Sequence, residues 1–207
     1  MSHPADAADR YGHRAILAIA GPMIVSSSTV PLVGLVGTGV MGHLEDPRYL
    51  AAVAAGTQVF SVLFVGLNCL RMGTTGLTAQ ARGAADGAAL RRALGQGVIT
   101  ALALALLLLA ARVPVRELAL WVLGPPAEVA VLAGQYVDIR LASAPFALAN
   151  LVALGWLLGL GDGRGALAVT LAINLTNILL DLWFVLGLGL GVAGVAWGAV
   201  LAEVAGS

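Results

Sequence analysis

The run Ala101-Leu102-Ala103-Leu104-Ala105-Leu106-Leu107-Leu108-Leu109-Ala110-Ala111 is apolar on every side of a helix. Such a helix packs against lipid or other protein, because none of its faces is suited to water. The rest of the chain has the same character: 59% of its 207 residues are hydrophobic and 11% are charged. Soluble domains carry roughly one quarter charged residues, so a soluble enzyme, a nucleic-acid-binding protein and a disordered chain are excluded. The sequence predicts an integral membrane protein.

Polar clusters divide the chain into six apolar blocks, and about 20 apolar residues suffice for a membrane-spanning helix. We therefore predict an all-α polytopic bundle of six transmembrane helices over residues 15–207, after a cytoplasmic tail over residues 1–14. Residues 112–128, with three prolines, are predicted to be the longest connection. The sixth block is too short for a hydrocarbon core of about 30 Å, so we expect a truncated last helix. The predicted spans are residues 15–41, 50–81, 90–111, 129–160, 166–186 and 192–207.

Arginine placement predicts the orientation of these spans. With a cytoplasmic N-terminus, the inner segments hold Arg10, Arg14, Arg82, Arg91, Arg92 and Arg164, and the outer segments hold Arg48, Arg112 and Arg116. This excess favours a cytoplasmic N-terminus by the positive-inside rule. The balance of eleven basic and eleven acidic residues implies no nucleic-acid partner.

The predicted fifth span carries a stripe of polar residues at membrane depth. Asn174, Asn177 and Asp181 are spaced by three and then four residues, which places them on one face of a helix. A carboxylate flanked by two amides can bind a proton or a small cation, and such groups within a membrane usually mark a functional pathway. The alternative is that these side chains hydrogen-bond neighbouring helices and only hold the bundle together.

Other polar and small residues in the spans have structural or functional interpretations. Arg71 lies deep in the second span and needs a partner for pairing, or serves a substrate or gating role. Asp138 and Arg140 are predicted to form an interfacial pair or to snorkel outward, and Tyr136 shares a helical face with Arg140. Prolines within spans predict kinks, and small residues four apart predict close helix packing. These are Pro22, Pro31 and Pro145, and pairs such as Gly155 and Gly159.

The inventory of reactive side chains predicts that the chain is not an enzyme. His3, His13 and His43 all fall in the predicted tail or loops, so no histidine-based site can assemble within the membrane. The one cysteine, Cys69, allows neither an internal disulfide nor a multi-cysteine metal site. We therefore expect no catalytic residues, no cofactor and no metal.

Several runs resemble the multidrug and toxic compound extrusion (MATE) family, specifically its DNA-damage-inducible F branch. The segment Val30-Pro31-Leu32-Val33-Gly34-Leu35-Val36-Gly37-Thr38-Gly39-Val40-Met41-Gly42-His43-Leu44 is similar to the first helix of that branch. The most specific run, Leu70-Arg71-Met72-Gly73-Thr74-Thr75-Gly76-Leu77-Thr78-Ala79-Gln80-Ala81, resembles its second helix. Residues 139–145 and 154–159, 174–185 and 194–203 resemble its fourth, fifth and sixth helices, so the resemblance covers nearly the whole chain.

The resemblance implies one lobe of a twelve-helix antiporter, whose missing C-terminal lobe repeats the first by pseudo-symmetry. Family members sit in membrane lipid, here the bacterial inner membrane, and exchange cationic or amphipathic drugs or metabolites for H⁺ or Na⁺. By position, Asn177 and Asp181 correspond to the family's cation or proton site, and Asn174 joins them by spacing. Arg71, Thr38 and Tyr136 are further candidates for cavity or gating roles.

One departure from the family pattern concerns the first helix. Where the family usually carries Asp, this chain reads Leu35-Val36-Gly37-Thr38, and a hydroxyl residue often found near Ala199 is also missing. Two carboxylates in one pocket favour protonation of one of them, so proton coupling through this lobe stays open. Two alternatives therefore remain: a related flippase for lipid-linked substrates, favoured by several arginines in a wide cavity, or an inactive truncated or scaffold protein.

Overall fold

The computed structural model describes residues 13–44 and 46–207, with side chains from residue 20 onward, and every regular element in these ranges is helical. The predicted all-α fold is therefore confirmed. The helix α1 begins at His13, inside the predicted tail, and residues 1–12 of that tail lie outside the described ranges. The helices are α1 (His13–Gly42), α2 (Pro47–Gly83), α3 (Gly87–Ala110), α4 (Arg112–Leu123), α5 (Ala127–Leu141), α6 (Ala144–Gly159), α7 (Gly163–Asp181), which continues as a π-helical turn (Leu182–Gly187), and α8 (Gly191–Gly206).

The predicted spans correspond to long helices at four of the six positions. In the described residues, α1, α2, α3 and α7 with its π-helical turn are long and apolar enough to cross a membrane. The predicted fourth span corresponds to the bent pair α5 and α6, and α8, at the position of the predicted sixth span, is apolar but shorter. The outer faces of these helices are apolar, with Val65 and Val131 more than two-thirds exposed. Such faces suit a lipid environment.

The predicted fourth span, residues 129–160, is not one helix. It breaks at Ala142 and Ser143, and its halves α5 and α6 meet at a bend of 56°. Pro145 lies in the first turn of α6, where it is tolerated but cannot donate a hydrogen bond back into α5. At the break, the carbonyl of Arg140 accepts from the backbone N–H of Ser143 at 3.0 Å and from its hydroxyl at 2.7 Å. By contrast, α1 continues as a helix through Pro22 and Pro31.

The predicted connection 112–128 is helical over most of its length, because residues Arg112–Leu123 form the helix α4. Pro114 falls in its first turn, where a missing N–H leaves no helical bond unmade. The helix ends at Gly124, whose φ of 57° and ψ of 41° are left-handed, before Pro125 and Pro126. The prolines of this connection therefore mark the start and the end of a helix.

The helix α2 is the centre of the packing, since it lies against α3 and against both halves of the bent pair. Gly155 and Gly159 of α6 allow the closest approach. A Cβ at Gly155 would lie 2.6 Å from the carbonyl oxygen of Arg71, and one at Gly159 would lie 2.8 Å from that of Thr75. The prediction that these glycines mediate helix packing is confirmed.

A cluster of charged side chains joins the segment between α1 and α2 to the start of α5. Arg48 donates to Glu128 at 2.8 Å and, through Nε, to both carboxylate oxygens of Asp46, at 2.9 and 2.8 Å. Asp46 also caps α2 by accepting from the backbone N–H of Arg48 at 2.9 Å. These hydrogen bonds stabilise the charged carboxylate, and so the pKa of Asp46 lies below its usual value.

Candidate functional site

A cavity of about 490 Å³ opens between α1, α2, α5, α7 and α8. Its volume is typical of the clefts that bind small molecules. Its wall combines apolar side chains of α1, α2 and α8 with polar groups from α1, α2, α5 and α7. The polar and charged lining residues are Thr38, Thr57, Gln58, Tyr136, Arg140, Asn174, Asn177 and Asp181. Among the described residues that line it, Asp181 and Arg140 are the charged ones.

Asp181 is the last residue of α7 and lies in the wall of this cavity, not on the outer surface. Its exposed fraction is 2%. The Asn177 amide, one turn earlier, donates to Asp181 Oδ1 at 3.1 Å. No salt bridge to Asp181 is present within the described ranges. A buried carboxylate with one neutral donor is costly unless a proton or a cation neutralises it.

Glycines on two other helices make room for this carboxylate. Gly198 of α8 packs directly on Asp181, because a Cβ there would overlap Oδ1. Gly37 of α1 is buried on the opposite wall, and a Cβ at this position would lie 3.9 Å from Asp181 Oδ2. The position at which the family pattern has Asp thus faces Asp181, and in this chain no side chain occupies it.

The remaining members of the predicted stripe also line the cavity. Asn174 donates to the hydroxyl of Thr29 at 2.5 Å and so links α7 to α1. Asn177 contacts Asp181 as described above. The stripe therefore combines the two roles considered for it, since Asn174 bridges two helices while Asn177 and Asp181 form a polar pair in the cavity wall.

Thr38 and Tyr136 line the same cavity, whereas Arg71 does not. The Tyr136 hydroxyl is 3.4 Å from Thr57 Oγ1, and its ring occupies the space left by Gly56 of α2. Arg71 borders a separate small recess of about 70 Å³ beside Ser26 and Ser27. A role for Arg71 in the Asp181 cavity is therefore not supported by its position.

The sequence interpretation did not predict that Arg140 lines the cavity. The predicted pair with Asp138 is absent, because Asp138 pairs with Arg116 of α4. Arg140 instead lines the cavity, with its guanidinium carbon 4.9 Å from the centroid of the Phe60 ring and its buried Nε unpartnered. The helical face that Arg140 shares with Tyr136 was the sequence signal for this position. A cation–π contact contributes about 0.5–2 kcal/mol, less than the several kcal/mol needed to bury a charge.

Glu203, for which the sequence suggested no role, is hydrogen-bonded but does not line the cavity. The buried Asn150 of α6 donates to its carboxylate at 2.8 Å and to its backbone carbonyl at 2.9 Å. This contact ties α8 to α6, as an interhelical hydrogen bond does in many membrane proteins.

Comparisons with known proteins agree with this architecture. The MatE family model matches residues 22–183. The chain is 47% identical over 192 residues to DNA damage-inducible protein F of Escherichia coli (strain K12), with 93% of this chain and 42% of that protein covered. It is 23% identical to the multidrug export protein MepA of Staphylococcus aureus (strain bovine RF122 / ET3-1), over 93% of this chain and 43% of MepA.

A solved structure shows the same fold. An outward-facing multidrug resistance MATE family transporter of the MOP superfamily superposes with a TM-score of 0.86 at 29% identity, over 93% of this chain and 42% of that one. The chain thus spans about two fifths of the length of the relatives it matches. Its apolar spans, its helical bundle and the matched residues lead to one conclusion: the chain belongs to the MatE family, whose members are multi-pass membrane transporters and not enzymes.

Proposed function

We propose that this chain forms one six-helix lobe of a secondary antiporter that exports cationic or amphipathic drugs or metabolites in exchange for H⁺ or Na⁺. In this proposal residues 1–14 are a cytoplasmic tail, residues 15–207 are the N-terminal lobe in a bacterial inner membrane, and a second lobe completes the transporter. The name of MepA as a multidrug export protein supports the substrate class. The length of the relatives beyond the matched region supports the second lobe.

The observation that carries this proposal is the position of Asp181. It is 2% exposed, lines a cavity of about 490 Å³ and has a neutral amide as its hydrogen-bond donor. A cation or proton that enters the cavity would neutralise this carboxylate, and Asn177 could offer its amide oxygen as a further ligand. If the two facing states hold that cation with different affinities, binding shifts the equilibrium between them. Rocking of two lobes about the cavity then gives alternating access.

The absence of an acid at Gly37 shapes this mechanism. Of the described residues that line the cavity, Asp181 alone is acidic. This cavity therefore cannot use two carboxylates that share one proton. A single carboxylate with nearby amides can still bind one monovalent cation or one proton. We therefore propose that one positive charge per cycle is taken up at Asp181.

The flippase alternative receives less support from the cavity. Recognition of an anionic lipid-linked substrate requires several cationic side chains, as phosphate recognition generally does. Arg140 lines the cavity, but Arg71 borders a separate recess. The scaffold alternative predicts no flux at all, and the following experiment distinguishes it from transport.

The proposal is tested by Asp181→Asn in the complete protein, with ethidium efflux measured from a drug-sensitive bacterial strain. The substitution keeps the shape of the side chain and removes its charge, so efflux should fall to the level of cells without the protein. Asp138→Asn is the matched control. Asp138 pairs with Arg116 away from the cavity, and Arg116 keeps Glu117 as a partner, so efflux should persist.

Membrane abundance of both variants, measured by immunoblot, should equal that of the original protein. Efflux by Asp181→Asn at the original rate would remove Asp181 from the mechanism. No efflux by the original protein, with any tested dye, would favour the scaffold alternative.

A further inference from the structure

Among the described residues Arg140 has no carboxylate partner, although Asp138 lies two residues before it. Asp138 is held by Arg116 on the other side of α5, and the Arg140 guanidinium rests on the face of Phe60, 4.9 Å from the ring centroid. Its Nε is buried without an acceptor. The positive charge of Arg140 is therefore not neutralised by any ion pair within the described residues.

Asp181 is the complementary charge in the same cavity. It too lacks an ion-pair partner among the described residues, and its hydrogen-bond donor is the uncharged amide of Asn177. The two residues lie on different helices, α5 and α7, and most of the surface of the cavity between them is apolar. Opposite charges attract each other more strongly in surroundings of low dielectric constant than they do in water.

We propose that Arg140 is a tethered counter-cation, which competes with the transported cation for Asp181 and promotes its release. This proposal rests on the proposed function of Asp181. The guanidinium lies on Phe60 in the structure, and it competes for the carboxylate by moving from this ring toward Asp181. The long, flexible arginine side chain and the cavity volume of about 490 Å³ permit this movement.

The geometry also explains why the empty position at Gly37 is tolerated. With an acid there, the cavity would hold two negative charges and one positive charge. With glycine, whose Cβ would lie 3.9 Å from Asp181 Oδ2, Asp181 and Arg140 balance each other. Loss of the Arg140 charge should leave a net negative cavity that binds cations more tightly and releases them more slowly.

The experiment measures tetraphenylphosphonium, a lipophilic monovalent cation, with the complete protein in detergent and in proteoliposomes. For Arg140→Gln we expect the Kd to fall about tenfold or more, because the charge that competes with the probe for Asp181 is removed. The KM and kcat of transport should fall together, because release becomes slower. Arg140→Lys keeps the charge, so its Kd should stay close to that of the original protein. Arg71→Gln, outside the cavity, is the matched control and should leave the Kd unchanged.

A double variant separates this inference from the proposed function. Because Arg140 acts through Asp181, Arg140→Gln should have no effect on the Kd in the Asp181→Asn background. If Asp181→Asn abolishes transport while Arg140→Gln leaves the Kd unchanged or weakens binding, the counter-cation role is wrong and the proposed function stands. If Asp181→Asn transports normally, both fail. Melting temperature identifies a folding defect in Arg140→Gln, and in that case an Arg140→Lys variant with a changed Kd would overturn the proposal.

Discussion

At the scale of single residues, the chemistry of the cavity depends on which positions carry a charge and which carry none. Asp181 is buried by glycines on two sides, Gly37 and Gly198, and accepts from Asn177. A charged side chain in such a place is costly, and membrane proteins retain it where it acts on a substrate or an ion. The empty space at Gly37 is therefore as informative as the carboxylate opposite it.

Substitution of Gly37 by Asp should make the cavity depend on cations for its stability. Two carboxylates would face each other across a short gap, since the Cβ position is 3.9 Å from Asp181 Oδ2, and like charges at that distance repel. Bound Na⁺ would relieve the repulsion. We expect Na⁺ to raise the melting temperature of Gly37→Asp more than that of the original protein, as measured by thermal unfolding in detergent.

Gly37→Asn is the control for this measurement, because Asn has nearly the same volume as Asp without its charge. Its Na⁺-dependent shift should match that of the original protein. Equal shifts for the Asp and Asn variants would show that position 37 does not communicate electrostatically with Asp181.

At the scale of helices, the contact between α2 and α6 is a close approach that depends on glycine. Gly155 and Gly159 lie one turn apart and face the carbonyls of Arg71 and Thr75. Overpacking of a tight contact costs about 1–3 kcal/mol of stability. Here a larger side chain would clash with backbone carbonyl atoms, which cannot adopt another rotamer as a side chain can. Gly159→Leu should therefore separate the two helices and lower the melting temperature.

Gly66→Leu is a matched control for Gly159→Leu. A Cβ at Gly66 has no atom within 4 Å, so the same change on α2 should leave the melting temperature nearly unchanged. Melting is measured in detergent for both variants. An equal decrease for both would mean that the α2–α6 contact does not limit stability.

The long apolar spans and the polar stripe could be predicted from sequence, because each signal is local. Hydrophobicity fixed the approximate ends of α2 and α3, and spacing placed Asn174, Asn177 and Asp181 on one face. One feature depends on a contact between distant residues and could not be predicted in the same way. Asp138 pairs with Arg116 of α4 instead of with Arg140, and this choice depends on a helix that the prolines concealed.

At the scale of the whole molecule, α4 indicates how the lobe sits in the bilayer. Arg116 faces α5, while Leu118, Trp121 and Val122 are exposed, Trp121 by 79%. A helix with one polar and one apolar side suits the membrane–water boundary, where tryptophan is enriched. We infer that α4 lies along this boundary and does not enter the hydrocarbon core.

The depth of α4 can be measured by fluorescence of a variant that keeps Trp121 and replaces Trp156, Trp183 and Trp197 by Phe. Lipids brominated near the top of the acyl chain should quench Trp121 strongly. A variant that keeps Trp156, which is half-buried among the helices, should be quenched less. Stronger quenching of Trp121 by aqueous iodide than by brominated lipid would place α4 in water and contradict the inference.

The bend between α5 and α6 has a mechanical consequence. A straight helix would tilt as one rigid unit across both leaflets. A span that is interrupted at Ala142 and Ser143 can instead bend at these residues. The helix α5 places Tyr136 and Arg140 beside the cavity, and α6 packs closely on α2 through Gly155 and Gly159. A rotation of α5 would therefore change the shape of the cavity around Asp181, while α6 stays packed against α2.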